Sequence, residues 1–481
     1  MKIDRDFLLE LLKGNFGLDS FRPSQEEIIW HTLEGGSSLV LMPTGMGKSL
    51  CYQLPALVFN GLTVVISPLI ALMKDQVDSL KSRGIDAEFI NSSLSSAERE
   101  KRYRNVAAGK YRLLYVSPER FRKDDFISSL SGRDVSLLAV DEAHCVSQWG
   151  HDFRPDYSRI FQFRGILNNP PVMALTATAT ARVQEDIVSC TGMDPSQVKI
   201  FNEGICRPNL HLAVLDPVDE PEKFRTILGL VRKRNGSTLV YFNLISGIER
   251  FSAYLDIEGV KHSIYHGQLP AEKRKRVQET FIKSGSMLML ATNAFGMGVD
   301  KEDIRMIIHA ELPDSLESYY QEIGRGGRDG KPTQCVLMYN EADLAVQMEF
   351  LAWRNPDSGF IKKTWSHLQK LGHALNSHTY EDIQEQLVYK NRSDRRLDTV
   401  LSLFDRYGVT SGSLNTLNLK METGLPPELT DEGLLSLKRD RDLQRLRDML
   451  GYVKTEGCRR EYIHHYFNVS VKGCGNCDNC R

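Results

Sequence analysis

A short apolar run, Leu39-Val40-Leu41-Met42, leads directly into Pro43-Thr44-Gly45-Met46-Gly47-Lys48-Ser49 and then into Leu50-Cys51-Tyr52-Gln53-Leu54. The run reads as a buried strand, the glycine-punctuated stretch as a tight loop, and the last segment as the first turns of a helix. That order belongs to parallel α/β sheets, and the chain repeats the theme. Between residues 38 and 180, the apolar segments Leu62 to Ser67, Arg112 to Ser117, Ser136 to Val140 and Pro171 to Leu175 alternate with stretches of helical periodicity. After Arg207-Pro208-Asn209 the pattern restarts: Ser237 to Phe242, His262 to Tyr265, Met287 to Ala291, Met306 to His309 and Gln334 to Tyr339 are separated by helices such as Ala271 to Lys283. Two tandem doubly wound domains of similar size are expected.

Beyond about Asn340 the alternation stops and helical periodicity takes over. Phe360 to Leu371, Tyr380 to Leu387 and Ser393 to Tyr407 read as helices, the last with Ser393 as N-cap and Gly408 as its stop. Thr410 to Glu422 reads as a small hairpin. Three helices and a hairpin are the parts of a winged helix, with Arg395 and Arg396 opening its third helix; a packing or spacer bundle fits the pattern equally well. There is no internal repeat or low-complexity linker.

At 481 residues the chain is long enough for about three domains, each with its own core. No stretch of about 18 uncharged apolar residues occurs. The start, Met1-Lys2-Ile3-Asp4-Arg5-Asp6, lacks the apolar run of a signal peptide, so an intracellular protein without membrane attachment is expected. Cys51, Cys145, Cys190, Cys206 and Cys335 are scattered and read as core thiols. Lys and Arg number 61 against 62 for Asp and Glu, a net charge of -1, so the overall balance does not by itself point to a polynucleotide partner. Basic clusters occur at Arg99, Lys101, Arg102 and Arg104, at Lys273 to Arg276, and at Lys390, Arg392, Arg395 and Arg396; each reads as a solvated face before it reads as a phosphate track.

Three segments carry the chemistry. In the first, Gly45 and Gly47 let the backbone turn tightly so that amide N–H groups and a helix N-terminus converge on phosphate oxygens. Lys48 then reaches the β- and γ-phosphates, Ser49 holds Mg²⁺, and Thr44 and Met46 complete the loop. Met42 stands where the general phosphate-loop pattern has glycine. In the second, Asp141-Glu142-Ala143-His144 closes the strand Ser136 to Val140. Adjacent carboxylates at a buried strand end cost several kcal/mol unless a cation compensates, and Mg²⁺ arriving with ATP does so. Asp141 is assigned to the metal, directly or through water, and Glu142 to positioning the attacking water. The third, Gln321-Glu322-Ile323-Gly324-Arg325-Gly326-Gly327-Arg328, supplies two arginines for a γ-phosphate. Together these are the parts of a nucleotide-driven motor.

Cys458, Cys474, Cys477 and Cys480 are spaced C-x15-C-x2-C-x2-C, with Gly473 and Gly475 providing tight turns. Four thiolates with no open position describe a structural Zn²⁺ site that staples a short lobe too small to hold itself.

The whole pattern resembles the RecQ family of DNA helicases in helicase superfamily 2, over residues 5 to 345 and again 437 to 481. The fold this implies is two RecA-like domains, 1–206 and 207–345, a helical insert at 346–436 that can be read as a winged helix, and a helix with a four-cysteine zinc-binding lobe at 437–481. Phe21-Arg22-Pro23-Ser24-Gln25 is similar to the family's adenine-reading segment, which implies that Gln25 bonds the base edge and Arg22 lies alongside it; Leu18 stands where the family often has an aromatic residue. Gln321 joins the ATP-binding set by the same resemblance. Ser67 to Val77 and Val116 to Arg120 look like strand-contacting motifs. Cys145 to Tyr157 matches the family's aromatic-rich loop, in which Trp149 and Phe153 would stack on unpaired bases while His144 and Gln148 sense the nucleotide, with His151 and Arg154 in the same loop. Thr176 to Thr180 resembles the motif that joins hydrolysis to strand separation, and Tyr265-His266-Gly267 with Ala291 to Lys301 looks like its counterparts in the second domain. By resemblance Arg328 is the first choice for the arginine finger and Arg325 its partner or alternative. Gly326 stands where the family commonly has alanine and is expected to loosen that loop slightly.

The family often continues past the zinc site into a winged helix, whereas this sequence ends at Arg481; the 346–436 insert is expected to be that winged helix relocated. The resemblance implies an ATP- and Mg²⁺-dependent helicase with 3′ to 5′ polarity that acts on single-stranded, duplex or forked DNA in repair and recombination. It implies a monomer, located in the cytoplasm with the nucleoid if bacterial or in the nucleus if eukaryotic. Two other readings stand beside it. An RNA remodeller would share the core motifs, and a nucleotide-gated clamp would bind branched DNA without unwinding it.

Overall fold

The computed structural model of the chain describes residues 3–43, 45–91, 93–147, 155–296, 301–388, 394–469, 471 and 473–480. The first sheet contains β1 Ser38–Leu41, β2 Leu62–Ile66, β3 Ala87–Ile90, β4 Leu113–Val116, β5 Val135–Val140, β6 Val172–Thr176 and β7 Lys199–Asn202. All pair in parallel, in the order β3-β4-β2-β5-β6-β1-β7. Successive side chains of a strand point to opposite faces, and here both faces are covered. Leu39, Val64, Ile66, Leu114, Leu138 and Val140 pack into one apolar layer. Their neighbours Val40, Val65, Leu113, Tyr115, Leu137 and Ala139 pack into the other. Burial on both sides is why these strands read as unbroken apolar runs instead of alternating ones. Truncating one such side chain, as in Leu138→Ala, costs about 2–5 kcal/mol.

The second sheet contains β8 Leu210–Leu215, β9 Ser237–Tyr241, β10 Ser263–Tyr265, β11 Leu288–Ala291, β12 Ile304–His309 and β13 Thr333–Met338, again all parallel, in the order β10-β11-β9-β12-β13-β8. The helix Ala271–Lys283 spans the residues its periodicity predicts, with Glu272 in the first turn and Lys283 in the last, each favourable to the helix dipole. Strands β3 and β7 lack a clean apolar signature, whereas β8, Leu-His-Leu-Ala-Val-Leu, is interrupted by His211. β3 carries Glu88, which is buried but held by Lys81 and Arg102 at 2.9 Å each. β7 is a sheet edge with Phe201 its one buried residue.

Both sheets and the C-terminal segment belong to one compact unit, Met1–Glu311, Glu317–Met338 and Thr455–Arg481; Leu312–Leu316 with Tyr339–Lys454 forms another. Within the second unit the helices Glu341–Arg354, Ser358–Leu371, Tyr380–Leu387 and Arg396–Arg406 precede an antiparallel pair, Thr410–Ser411 with Lys420–Met421, and then the helix Glu432–Lys454. Ile361, Leu368, Ile383, Leu397, Val400 and Phe404 form its core. Thr379 caps the helix Tyr380–Leu387 reciprocally with Asp382. Ser393, expected as a cap, lies outside the described residues. Among the scattered cysteines Cys51, Cys145 and Cys335 are buried, but Cys190 is half-buried and Cys206 is exposed, so the expectation of core thiols fails at the last. Among the described residues no helix is long and apolar enough to cross a membrane.

Candidate functional site

Parallel strands bring their carboxyl ends to one edge of a sheet, and ligands of such sheets bind there. Because β2, β5, β6 and β1 are neighbours, Ser67, Asp141, Ala177 and Met42 follow one another along that edge. The backbone binds them together: Met42 N donates to Thr176 O at 3.1 Å, and Asp141 N to Ile66 O at 2.8 Å. From Met42 the chain turns through Gly45 (φ 85°) and Gly47 (φ 82°) into the helix Leu50–Val58. Those angles are left-handed and favour glycine.

The loop is gripped from inside its own lobe. Gln25 Nε2 donates to the carbonyls of Met46 at 3.2 Å and Gly47 at 3.1 Å, and Arg22 donates to the carbonyl of Gly45. A Cβ on Gly47 would stand 2.5 Å from Gln25 Nε2, which is a second reason for glycine there. Lys48 Nζ donates to Met42 O at 3.1 Å. Burial pushes its pKa down, opposed by the charges of Glu142 and Asp141. A cavity of about 670 Å³ is lined by Phe21, Arg22, Pro23, Ser24, Glu26, Glu27 and Trp30. Trp30, which sequence reading passed over, gives this hollow an aromatic wall, whereas Leu18 is exposed and outside the lining.

At the end of β5, burial raises the Asp141 carboxyl well above the ordinary carboxylate range; Glu142 adds to the rise and Lys48 partly offsets it. Glu142 holds a left-handed backbone (φ 47°, ψ 48°), a conformation that costs a non-glycine residue about 1–3 kcal/mol and persists where the surroundings impose it. Its Oε2 is buried, has no hydrogen-bond partner among the described residues and lies 3.4 Å from His144 Nδ1. Two adjacent acids near Lys48, one with a buried oxygen that has no partner among the described residues, fit a hard divalent cation such as Mg²⁺. His144 is buried and its Nδ1 is 3.0 Å from Thr176 Oγ1, which donates to Thr178 O at 3.1 Å. The acidic segment is thereby tied to the Thr176–Thr180 turn.

The arginines come from the second lobe, after the helix Leu316–Ile323 that carries Gln321. Arg328 crosses to the first: its Cγ and Cδ lie 3.0 and 3.2 Å from where a Cβ on Gly45 would be. It also depresses the Lys48 pKa, so its positive charge is felt at the phosphate loop. Arg325 instead turns into its own lobe and donates to Gly296 O. Two residues that sequence reading treated only as a boundary hold this loop. Arg207 donates to Gly324 O at 3.1 Å and Gly327 O at 3.0 Å, and Asn209 Nδ2 donates to Gly327 O at 2.8 Å. Gly326 is the position expected to loosen this loop. It is buried, and an added Cβ would meet Thr333 Cγ2 at 2.6 Å and Ile307 Cδ1 at 3.2 Å, so the space an alanine would need is already filled.

The sulfurs of Cys458, Cys474, Cys477 and Cys480 all lie within 4.8 Å of one another. A tetrahedral zinc with Zn–S near 2.3 Å needs sulfurs about 3.8 Å apart, so the cluster fits that ion after slight contraction. The lobe docks on β8. Leu212 bridges Cys477, Asp478 accepts from Val214 N at 2.8 Å, and Arg459 pairs with Asp478 at 3.0 Å. Arg460 and Asn476 donate to the carbonyls of Leu210 (2.8 Å) and Pro208 (3.0 Å), respectively. Tyr466 donates to Glu317 Oε1 at 2.6 Å, which ties the lobe to the helix bearing Gln321.

The chain matches the DEAD/DEAH box helicase family over residues 22–187, the helicase conserved C-terminal domain over 222–330 and the RecQ zinc-binding domain over 429–481. It is 45% identical to the ATP-dependent DNA helicase RecQ of Bacillus subtilis, over 79% of this chain and 63% of that protein. It is 34% identical to the probable ATP-dependent DNA helicase RecS of the same organism, over 97% of this chain and 89% of that protein. The chain belongs to the RecQ family. It spans 58% of the length of the Pasteurella multocida RecQ, to which it is 42% identical over 77% of its own residues. Solved structures that share the fold include the DUF1998 helicase MrfA bound to DNA (TM-score 0.59, 17% identity, 88% of this chain and 63% of that one). The Mycobacterium smegmatis helicase Lhr bound to ssDNA and AMP-PNP also shares it (TM-score 0.54, 19% identity, 89% of this chain and 61% of that one).

In this RecQ-family chain, Lys48, Ser49, Asp141, Glu142, His144 and Arg328 are brought to one cleft, whereas Arg325 faces inward. Thr44 and the loop residues Gln148, Trp149, His151, Phe153 and Arg154 lie outside the described residues. Arg207 and Asn209 were hidden from sequence reading because their partners lie more than a hundred positions away; a polar pair at the start of a domain was the only local signal.

Proposed function

We propose that this chain is an ATP- and Mg²⁺-dependent DNA helicase that tracks 3′ to 5′ along one strand and opens duplex or forked DNA in repair and recombination. The observation that carries this reading is Arg328 of one lobe pressed on Gly45 of the other, with Lys48 and the Asp141–Glu142 pair on the same cleft. Mg²⁺, when bound, would neutralise the β- and γ-phosphate oxygens. Ser49 and Asp141 would hold it. Lys48 binds the phosphates, Gln25 and Arg22 recognise the base, and Glu142 orients the attacking water. Arg328 stabilises the charge that develops on the transferred phosphoryl group and does so only when the lobes meet, so turnover follows closure. Gln321 contributes from the helix before it, and Arg325 braces the loop.

His144, hydrogen-bonded to Thr176, is suited to report the nucleotide state to the aromatic-rich loop, where Gln148, Trp149, His151, Phe153 and Arg154 engage single-stranded DNA. The four cysteines hold Zn²⁺, and residues 346–436 act as a relocated winged helix against duplex DNA. The division 1–206, 207–345, 346–436 and 437–481 serves as the functional map. The chain works as a monomer wherever the genome lies. The names of the RecQ and RecS relatives favour DNA over RNA as the polynucleotide.

The test is strand displacement on 3′-tailed, 5′-tailed and forked duplexes of DNA and of RNA, with phosphate release measured alongside. Opening of 3′-tailed DNA is expected. Opening of RNA alone, or DNA-stimulated phosphate release without opening, would replace the proposal by a remodeller or a clamp.

A further inference from the structure

Strand β12 holds the arginine loop at both ends, through side chains to which no role has been assigned. It lies between β9 and β13, and its Ile307 Cδ1 is 3.2 Å from where a Cβ on Gly326 would stand, so the loop passes over that face. His309, two residues on, shares the face. Its Nε2 is 2.8 Å from Glu322 Oε2, and since an ionised carboxylate only accepts, the imidazole is the donor. Both side chains are buried. The ring is walled by Tyr241 and Tyr319, at centroid distances of 5.3 and 5.0 Å, and its Nδ1 is buried with no partner among the described residues. An apolar ring would fill the same space without that unmet atom, so packing alone does not account for a histidine here. At the other end, Arg305 donates to both oxygens of Asp329, Nη1 to Oδ1 at 3.0 Å, in the forked geometry that fixes direction as well as distance. The pairing of β12 with β9 skips Arg305, with Ile304 opposite Ser237 and Met306 opposite Thr238. An extra residue of this kind re-aims its side chain.

We propose that His309 and Arg305 are positioning residues that aim the Arg328 guanidinium across the cleft, His309 by fixing Glu322 ahead of the arginine loop and Arg305 by fixing Asp329 directly behind Arg328. The helix that carries Glu322 ends at Ile323, so His309 sets the direction in which the loop leaves it. From there the chain runs through Gly324, Gly326 and Gly327, whose backbones are free to swing. Asn209 bridges the loop from Gly327 O to Lys331 O, at 2.8 and 2.9 Å. Those bonds fix carbonyls on either side and leave the peptide planes of Arg328 and Asp329 between them to rotate, the Asp329 N–H meeting Glu302 O at a loose 3.4 Å. Arg305 removes that freedom by holding the side chain next to Arg328. A misplacement of about 1 Å at a reacting group is enough to cost on the order of 10²-fold in rate. With both ends fixed, Arg328 has its own side-chain torsions left to settle.

The inference rests on the reading of Arg328 as the group that meets the transferred phosphoryl. The test is single-turnover phosphate release, with the whole protein in excess over Mg²⁺-ATP and an oligo(dT) saturating, for His309→Phe and Arg305→Gln, each made with Arg328 and with Arg328→Ala. Affinity for a non-hydrolysable ATP analogue and circular dichroism are measured alongside. With Arg328 in place each substitution should slow release about 10- to 100-fold while analogue affinity stays within about threefold of wild type. In the Arg328→Ala background the same substitution should change release by less than about twofold, because a residue that acts through the finger has nothing left to aim. His309→Gln, whose amide can donate to Glu322 in place of the imidazole, should keep release within about threefold of wild type. Equal slowing in both backgrounds assigns the pairs a general structural role and overturns the proposal, as does unchanged release in the single variants. Should Arg305→Gln unfold the protein, Arg305→Lys, which keeps the charge and loses the fork, takes its place under the same comparison; should His309→Phe do so, His309→Leu replaces it likewise. Wild-type release by Arg328→Ala alone overturns the underlying reading of the finger as well, which separates the two failures.

Discussion

Gly326→Ala, the residue the resembled family commonly carries, is expected to weaken this chain. The new Cβ would lie 2.6 Å from Thr333 Cγ2, 3.2 Å from Ile307 Cδ1 and 3.3 Å from Ile323 O. Thr333 is 1% exposed and its Oγ1 donates to Ile304 O at 2.9 Å, so the side chain cannot swing aside without losing that bond. Overpacking of this kind costs about 1–3 kcal/mol. The backbone of Gly326 is not left-handed, so alanine regains about 0.4–1 kcal/mol by restricting the unfolded chain. The net loss is about 0.5–2 kcal/mol. Thr333→Ser removes Cγ2 and keeps the hydroxyl on Ile304, so the double variant should recover most of the deficit, leaving a coupling energy of about 1 kcal/mol in the cycle. Thermal and urea unfolding of the four proteins measures this, with phosphate release to follow Arg328 two positions on. Gly326→Ala matching the wild type in stability, or Thr333→Ser giving no relief, would refute the packing argument.

Glu142→Gln should keep affinity for the ATP analogue while phosphate release falls about 10²- to 10⁴-fold, the range for loss of a general base; stopped-flow binding with a phosphate sensor separates the two. Arg328→Ala should lower kcat about 10³- to 10⁵-fold, and Arg328→Lys should recover little of it, since an ammonium lacks the planar fork of a guanidinium. Cys474→Ser should reduce bound zinc from one per chain to none by elemental analysis and melt the helix Arg459–Tyr466, whose N-cap is Cys458.

Much of this architecture is local and therefore legible in the sequence. A strand covered on both faces is a short apolar run whatever surrounds it, and Leu62–Ile66 could be read directly. The helices Ala271–Lys283 and Tyr380–Leu387 coincide with their periodicity because the signals that bound them are local, the dipole charges Glu272 and Lys283 in the first and the Thr379–Asp382 cap in the second. The acid pair and the phosphate loop are likewise contiguous stretches at strand ends. What escaped reading is tertiary. Glu88 hides β3 because its partners Lys81 and Arg102 come from other elements. Arg207 and Asn209 hold a loop more than a hundred residues away, and Gly326 acquires its meaning only from Thr333. Gln53 looks like ordinary core in one dimension, because nothing in the order of residues reveals that its amide meets Gln76 and the Tyr115 hydroxyl.

The docking of the cysteine lobe on β8 has a consequence beyond local folding. β8 is the last strand of its sheet, and its outward main-chain groups are engaged by Asp478, Arg460 and Asn476. A bare sheet margin is a template on which another copy can add its own strand. Stripping the metal therefore uncovers an adhesive rim, and the first sign of damage in chelator should be self-association of otherwise folded molecules.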